Sequence, residues 1–354
     1  MALALTACSK APAETTTSAE TSTTTSETTE ATTSETTEET TEATTTAAPD
    51  PFVFEPHINS ETLSGLYEQK YFDGLYNLID ALRKGEDTFE CSDKAVYEFA
   101  FDPVVLNNMF PIACMKVEEA GFADGIGKIG YRIPVEEFMT KEADFEKMIV
   151  GILNDNAKTT DSDIEKCLKL YDYMATEFDY EYEELGEHEY DPDCTEGSCY
   201  ETFMIKKGIC CELGCAYSYL LMQAGVDALL VGEDENMCHA WSYVTLNGNH
   251  YHIDPTWALK SCYYDENCED QPLILDYFLM SDAERANDQF EVKEMTMDMS
   301  PNYWVNHDGL KFTATDDTYC NAFDCSVLVD LDTENNIIYY DCCSDKPLEF
   351  HYED

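Results

Sequence analysis

Leu63, Leu66, Tyr67, Leu75, Leu78, Ile79 and Leu82 recur at helical intervals, and the spacing predicts a helix over 60–84 that stops at Gly85. The same period runs through 145–154 and 163–178, the second with Ile164, Cys167, Leu168, Tyr171, Met174 and Phe178 on one side. Alternation replaces it in AVYEFAFDPV (95–104) and at Tyr131, Ile133 and Val135, so both read as strands. Farther on, Leu213, Tyr217, Leu220, Leu221 and Ala224 mark another helix, followed by a strand from Ala228 to Val231. A hairpin is expected over 239–254, because Asn247-Gly248 is a strong two-residue turn. Ser281-Asp-Ala-Glu284 has the form of a capping box, and 309–351 reads as small strands with a turn at Thr333 to Asn336.

One stretch has neither period. Residues 9–49 hold 18 Thr with Ser, Glu and Ala, and no aromatic, Leu, Ile or Val. Such a segment buries no apolar area to offset ordering entropy and is expected to be disordered. Ahead of it, Leu5-Thr6-Ala7-Cys8 is similar to a bacterial lipobox, which marks Cys8 for lipidation, although seven residues are few for a whole signal peptide. The expected organisation is therefore 1–8, shortened lipoprotein signal; 9–49, Thr/Glu-rich tether; 50–150, an N-terminal α+β region; 151–290, a catalytic domain; 291–354, a β-rich C-terminal extension. No apolar run in the sequence reaches membrane-spanning length, so membrane association is expected only through Cys8.

Charge narrows the partners. The formal net charge is −53, and residues 9–49 supply only −7 of it through eight Glu and one Lys, which leaves −46 on the rest. That surface repels phosphate backbones and anionic lipid heads, so nucleic acid is not expected as a partner. Sixteen cysteines suit an exported protein. With Cys8 and Cys210 set aside, fourteen remain; Cys194/Cys199, Cys262/Cys268 and Cys320/Cys325 are close enough in sequence to bridge, but connectivity is not readable.

Candidate chemistry comes from the hairpin. If no bulge intervenes, its turn sets Leu246 against Asn249, Val244 against Tyr251 and Ser242 against Ile253. His239, Trp241, Tyr243, His252 and Asp254 then share one face, with His239 and Asp254 as diagonal neighbours within hydrogen-bonding reach. A histidine oriented by a carboxylate is part of a nucleophilic triad. Cys210 fits the third place. It follows Gly208, which permits a tight turn, and falls in the first turn of an apolar helix, where the helix N-terminus favours an anion and a backbone N–H can face an oxyanion. Trp241 and Trp257 flank the hairpin as possible cleft walls.

GICCELGCAYSYLLMQAGV and HAWSYVTLNGNHYHIDPTW together resemble the transglutaminase-like family of the papain-type cysteine hydrolase and transferase fold. The motif-bearing match covers about residues 198–257, with looser similarity back to 163 and forward through 284. The resemblance implies an α+β fold with the nucleophile at a helix N-terminus packed on an antiparallel sheet. It implies Cys210 as nucleophile, His239 of the H-A-W motif as base and Asp254 of the D-x-T-W motif as orienting acid. No cofactor or metal is implied. A protein or peptide substrate is expected, at the surface of a Gram-positive bacterium, with hydrolysis of peptide or glutamine amides through a Cys thioester. Transfer to an amine, which cross-links proteins, is the alternative, and a non-catalytic binding module on the same fold is another. Cys211 and Cys215 depart from the family pattern, and the doubled cysteine leaves Cys211 as a second candidate thiol, although only Cys210 keeps the spacing to Gly225.

Blander readings stand beside these. Cys211 and Cys215 read as buried or bridged; with Cys238 and His239 they would make a zinc set that lacks paired CxxC spacing. His250 and His252 read as exposed or packed strand residues rather than catalytic ones, and His57, His188, His307 and His351 lack companions. The acidic loop over 179–197 reads as a solvated rim. DLDTENN (330–336) reads as a hairpin turn, since it lacks the Gly and closing Glu of a calcium loop.

Overall fold

The computed structural model describes residues 49–114, 116–181, 198–233, 239–263, 271–287, 312–344 and 346–352. The expected lipid site at Cys8, nearly all of the tether and most of the acidic loop lie outside these, as do Cys194, Cys238, Cys268, His188 and His307. From Ala48 onward the chain forms one compact unit, organised around a continuous apolar cluster. It is α+β, as the resemblance implies. Among the described residues no helix is long and apolar enough to cross a membrane.

The N-terminal region is built on α1 (Gln69–Lys84), which buries Phe72, Leu75, Leu78, Ile79 and Leu82 along one stripe. It ends where Gly85 turns left-handed at φ 69°, a conformation that costs glycine little. The single helix expected over 60–84 is broken: Glu61–Ser64 forms its own turn, capped by the Ser60 hydroxyl, and α1 starts afresh at Gln69. The strand expected over 95–104 is two short helices, Lys94–Ala100 and Pro103–Met109. Capping explains the difference. Asp93 accepts from the Val96 N–H, and Asp102 accepts from Val104 and Val105 with Pro103 in the first turn, so each aspartate starts a helix that alternation alone does not reveal. Val96, Tyr97 and Ala100 then pack inward at helical spacing.

Three strands cover this region in the order β1 (Thr88–Glu90), β3 (Ile126–Tyr131), β2 (Val117–Ala123). The strand read at 131–135 stops at Tyr131, because Pro134 starts the long helix α2 (Val135–Asn156). The next helix, α3 (Asp163–Glu177), opens with Glu165 reaching back to the Ser162 N–H at 2.6 Å.

The central region carries the candidate site. A short helix, α4 (Cys199–Ile205), leads through the left-handed Lys206 to α5 (Cys210–Gln223). An antiparallel sheet follows in the order β4 (Asp227–Glu233), β5 (His239–Leu246), β6 (Asn249–Ile253). The β5–β6 register is Ser242 to Ile253, Tyr243 to His252, Val244 to Tyr251 and Leu246 to Asn249, with no bulge. Asn247 and Gly248 both take positive φ, at 53° and 81°, which matches the twist a two-residue hairpin turn needs.

Helix α5 lies on one face of this sheet. Ser218 Oγ is 2.8 Å from Ser242 Oγ, and Ser242 Oγ donates to the Gly214 carbonyl at 3.0 Å. Gly214 is the closest point of approach: a Cβ there would sit 2.9 Å from Leu230 Cδ1 and 3.2 Å from Trp241 Cα. On its other side the Tyr217 hydroxyl donates to the Cys167 carbonyl of α3 at 2.8 Å. The opposite sheet face is covered by α6 (Asp282–Asn287) and by residues near 313, where Thr313 accepts from the Tyr243 hydroxyl at 2.7 Å. The C-terminal sheet runs β9 (Leu348–His351), β8 (Ile337–Asp341), β7 (Val327–Asp332). It is tied to the centre by Leu275 N–H to Ser326 O and Leu328 N–H to Leu273 O. DLDTENN is a hairpin turn, in which Asp332 accepts from the Glu334 and Asn335 backbone N–H groups.

Candidate active site

Climbing α5 from Cys210 through Gly214 to Ser218 follows β5 from His239 through Trp241 to Ser242. The two elements therefore start at the same end of the layer, and the first residue of one meets the first residue of the other. Cys210 and His239 are hydrogen-bond partners. Cys210 is 8% exposed, enough to admit a reagent at the surface of an otherwise buried helix, and its sulfur is a thiol rather than half of a disulfide. The start of α5 is set by sequence. Glu212 reaches back to accept from the Ile209 N–H at 2.9 Å, and Gly208 leaves room for that carboxylate, since a Cβ there would lie 2.9 Å from Glu212 Oε2. Ile209 has no side-chain acceptor, so only this half of a capping box exists. Cys210 is the first residue of the fourteen-residue helix and so lies at its positive end.

His239 Nε2 lies 2.6 Å from Asp254 Oδ2, and both side chains are buried. Nε2 is committed there, which leaves Nδ1 for Cys210. Trp257 Nε1 is also 2.9 Å from His239 Nε2. One ring nitrogen cannot donate to a carboxylate and accept from an indole at once. The shorter contact to a buried anion prevails, so Trp257 meets the His239 ring as an edge-on neighbour, with centroids 6.0 Å apart. Trp257 is 38% exposed and does border the site, whereas Trp241 is 1% exposed and lies beneath it rather than walling a cleft.

Burial, the largest single influence, pushes the His239 imidazole down, but the charge and hydrogen bond of Asp254 together with Cys210 outweigh it and raise the group to about 9. The ring is thus an imidazolium at neutral pH. Burial likewise pushes the Asp254 carboxyl up, and the charges of His239 and Arg285 outweigh it and hold the group below the ordinary carboxylate range. Asp254 Oδ1 accepts from the Thr256 N–H at 3.1 Å, which fixes the rotation of the carboxylate.

The structure brings Cys210, His239 and Asp254 together and sorts the other cysteines. Cys211 is half-buried against the apolar core, and its thiol is pushed well up by burial and by the charges of Cys210 and Glu212, which makes it a poor nucleophile. Cys215 is buried and donates to the Asn107 carbonyl at 3.4 Å. Neither is bridged, and the bridge considered for Cys320 and Cys325 is absent, with Cys320 buried and Cys325 exposed. Cys199 and Cys262 are also thiols in the structure, while Cys194 and Cys268, the partners considered for them, lie outside the described residues. Among the described residues no group of three or more His, Cys, Asp or Glu could hold a metal ion; Cys238 of the zinc alternative is not among them.

Sequence reasoning left the support beneath the triad unread. His252 is fully buried, accepts from Trp241 Nε1 at 3.0 Å, and meets Asp282 Oδ1 at 2.9 Å. Arg285 is fully buried too, with Nη2 3.0 Å from Asp254 Oδ2. The capping box at 281–284 located the helix that carries Arg285, but nothing in the chain order signals that this helix lies under the sheet.

The structure thus places a thiol at a helix start beside a histidine on one strand and an aspartate just past the end of the next. No family model and no curated protein matches the chain. Among solved structures, one described as a "Putative Cysteine Protease from Cytophaga hutchinsonii" aligns at 12% identity and TM-score 0.25 over 41% of this chain and 63% of that one. Another, described as "a TGase", aligns at 15% identity and TM-score 0.27 over 44% of this chain and 46% of that one. The chain thus spans less than two thirds of either.

Proposed function

We propose that the protein is a transglutaminase-like cysteine enzyme that cleaves peptide or glutamine amide bonds through a thioester on Cys210. The observation that carries this reading is the buried line of Cys210, His239 and Asp254, in which the 2.6 Å contact to Asp254 leaves His239 charged beside the thiol. The Cys210 thiolate attacks the amide carbonyl carbon, and the developing oxyanion meets N–H groups at the start of α5. The C–N bond breaks as His239 Nδ1 gives its proton to the leaving amine. Water then attacks the thioester with neutral His239 as base, the C–S bond breaks, and the acid is released with the thiol restored. Asp254 holds the ring in one tautomer through both steps.

An amine in place of water would make the same intermediate a cross-linking one, and a non-catalytic surface module would keep the fold without turnover. Incubating the protein with a peptide library, with and without a primary amine, separates the three. Released fragments mean hydrolysis, incorporated amine means transfer, and neither means binding alone. In parallel, Cys210→Ala should abolish the labelling of the protein by an iodoacetamide-type probe near neutral pH; labelling that persists at the same rate would refute the assignment of the nucleophile. The Thr/Glu-rich segment over 9–49 and Cys8 support a lipid-tethered placement outside a bacterial cell, with a protein or peptide as substrate.

A further inference from the structure

Arg285 is a buried cation, with no part of its side chain exposed. Taking a guanidinium out of water is costly unless a counter-charge is held against it, so its place demands an account. Its counter-charge is Asp254: Nη2 is 3.0 Å from Oδ2, the same oxygen that lies 2.6 Å from His239 Nε2. Below it, Cζ sits 4.3 Å from the centroid of the Trp241 ring, a cation–π contact that fixes the guanidinium plane.

The helix that carries Arg285 is itself pinned to the sheet. His252 and Met280 exchange backbone hydrogen bonds at 2.9 and 2.8 Å. Asp282 donates its N–H to the Ala314 carbonyl at 2.7 Å, and its Oδ1 receives the Ala314 N–H at 2.8 Å and faces His252 Nε2. Because Trp241 Nε1–H donates to His252 Nδ1, the proton of this neutral imidazole is on Nε2 and goes to Asp282. Trp241, His252 and Arg285 thus form a buried frame behind Asp254, with the partly exposed Asp282 closing its outer end.

We propose that Arg285 is a positioning residue for the triad: sharing Oδ2 with His239, it balances the Asp254 charge through the step in which His239 gives up its proton. This rests on the thiol chemistry proposed above. When the imidazolium protonates the leaving amine, Asp254 loses its nearer cation while remaining out of water. A carboxylate left so would draw a proton and release the ring from its fixed tautomer. A guanidinium does not deprotonate, so Arg285 keeps Asp254 anionic at every stage of the cycle.

The charge of Arg285 also opposes the charge on His239 across that shared oxygen, and this gives a readout that mere packing does not move. The titratable and charged groups facing His239 are Cys210 from α5 and Asp254 with Arg285 behind it; His252 with Asp282 lies beyond Trp241. Iodoacetate, an anionic alkylating reagent, is drawn to a thiol paired with an imidazolium, so its rate at Cys210 falls as His239 loses its proton. The experiment follows that rate by mass spectrometry of the Cys210 peptide from about pH 5 to 10, on the full chain and on folded Arg285→Met. The alkaline fall is expected about one pH unit or more higher in the variant, and Arg285→Lys should return it towards the parent value. Arg285→Gln takes the place of the Met variant if that one does not fold. A coincident alkaline limb in a folded neutral variant overturns the proposal and leaves the thiol chemistry standing. If the parent itself has no alkaline limb that vanishes in His239→Ala, the triad reading fails instead.

Discussion

Replacing Asp254 with Asn is the sharpest test of the electrostatics, because it removes a charge while keeping the shape. His239 is raised from the ordinary 6.5 to about 9 against the opposing effect of burial, chiefly by the charge and hydrogen bond of Asp254, with Cys210 adding the rest. A rise of that size corresponds to about 3 kcal/mol favouring the imidazolium. At pH 7 a group with a pKa of about 9 is about 99% protonated. Without Asp254, only Cys210 still opposes burial, so the His239 pKa falls and fewer molecules keep an imidazolium at that pH. The iodoacetate rate at Cys210 should therefore fall at pH 7, and its alkaline limb should drop by about one pH unit or more. Turnover of any amide substrate should fall further, by roughly 10²–10⁴, because the amide no longer fixes the ring tautomer. The substitution also leaves Arg285 facing a neutral group, at a stability cost on the order of 3–5 kcal/mol. Urea unfolding must first establish conditions in which the variant is folded. An alkaline limb that stays near the parent position in folded Asp254→Asn would refute the reasoning, since Asp254 would then not be what charges His239.

Three further outcomes follow from the same geometry. Cys211→Ala should keep the iodoacetamide rate at the 210 site within about twofold of the parent, because the Cys211 thiol is pushed well up and is a poor nucleophile; loss of labelling in that variant would transfer the nucleophile to Cys211. Gly214→Ala should destabilise the protein by up to about 2 kcal/mol in urea unfolding: helix propensity favours alanine by about 1 kcal/mol, but the overpacking against Leu230 and the Trp241 backbone costs about 1–3 kcal/mol. A stabilised variant would mean that α5 and the sheet are not in contact at Gly214. Stability should also depend on pH through His239. Its pKa is higher folded than unfolded, so its contribution is complete below about 6.5 and is lost as pH rises through about 9, with a slope up to about 1.4 kcal/mol per pH unit. His239→Gln should flatten that part of the profile; an unchanged slope would assign it to other groups.

The site was legible because its determinants are local. Asn247-Gly248 fixes a two-residue turn, a turn fixes register, and register with a period of two puts His239 and Asp254 on one face. Gly208 and the apolar series after Cys210 likewise announce a helix start, since those signals lie within one or two turns of the residue they place. Alternation failed at 95–104, where two aspartate caps and Pro103 outweighed a pattern also compatible with a strand, and at 131–135, where Pro134 began a helix.

What the chain order determined is therefore the helix carrying the thiol, the hairpin carrying the histidine and carboxylate, and an apolar inventory large enough to pack them. Only the tertiary structure decided that Gly214 lets α5 approach the sheet until Cys210 and His239 are partners. It also decided that Arg285, 31 positions beyond Asp254 in the sequence, lies beneath it. The physical reason is range. Turns and caps act over a few residues and are written in consecutive letters, whereas a buried ion pair depends on which faces are brought together when distant elements exclude water from between them.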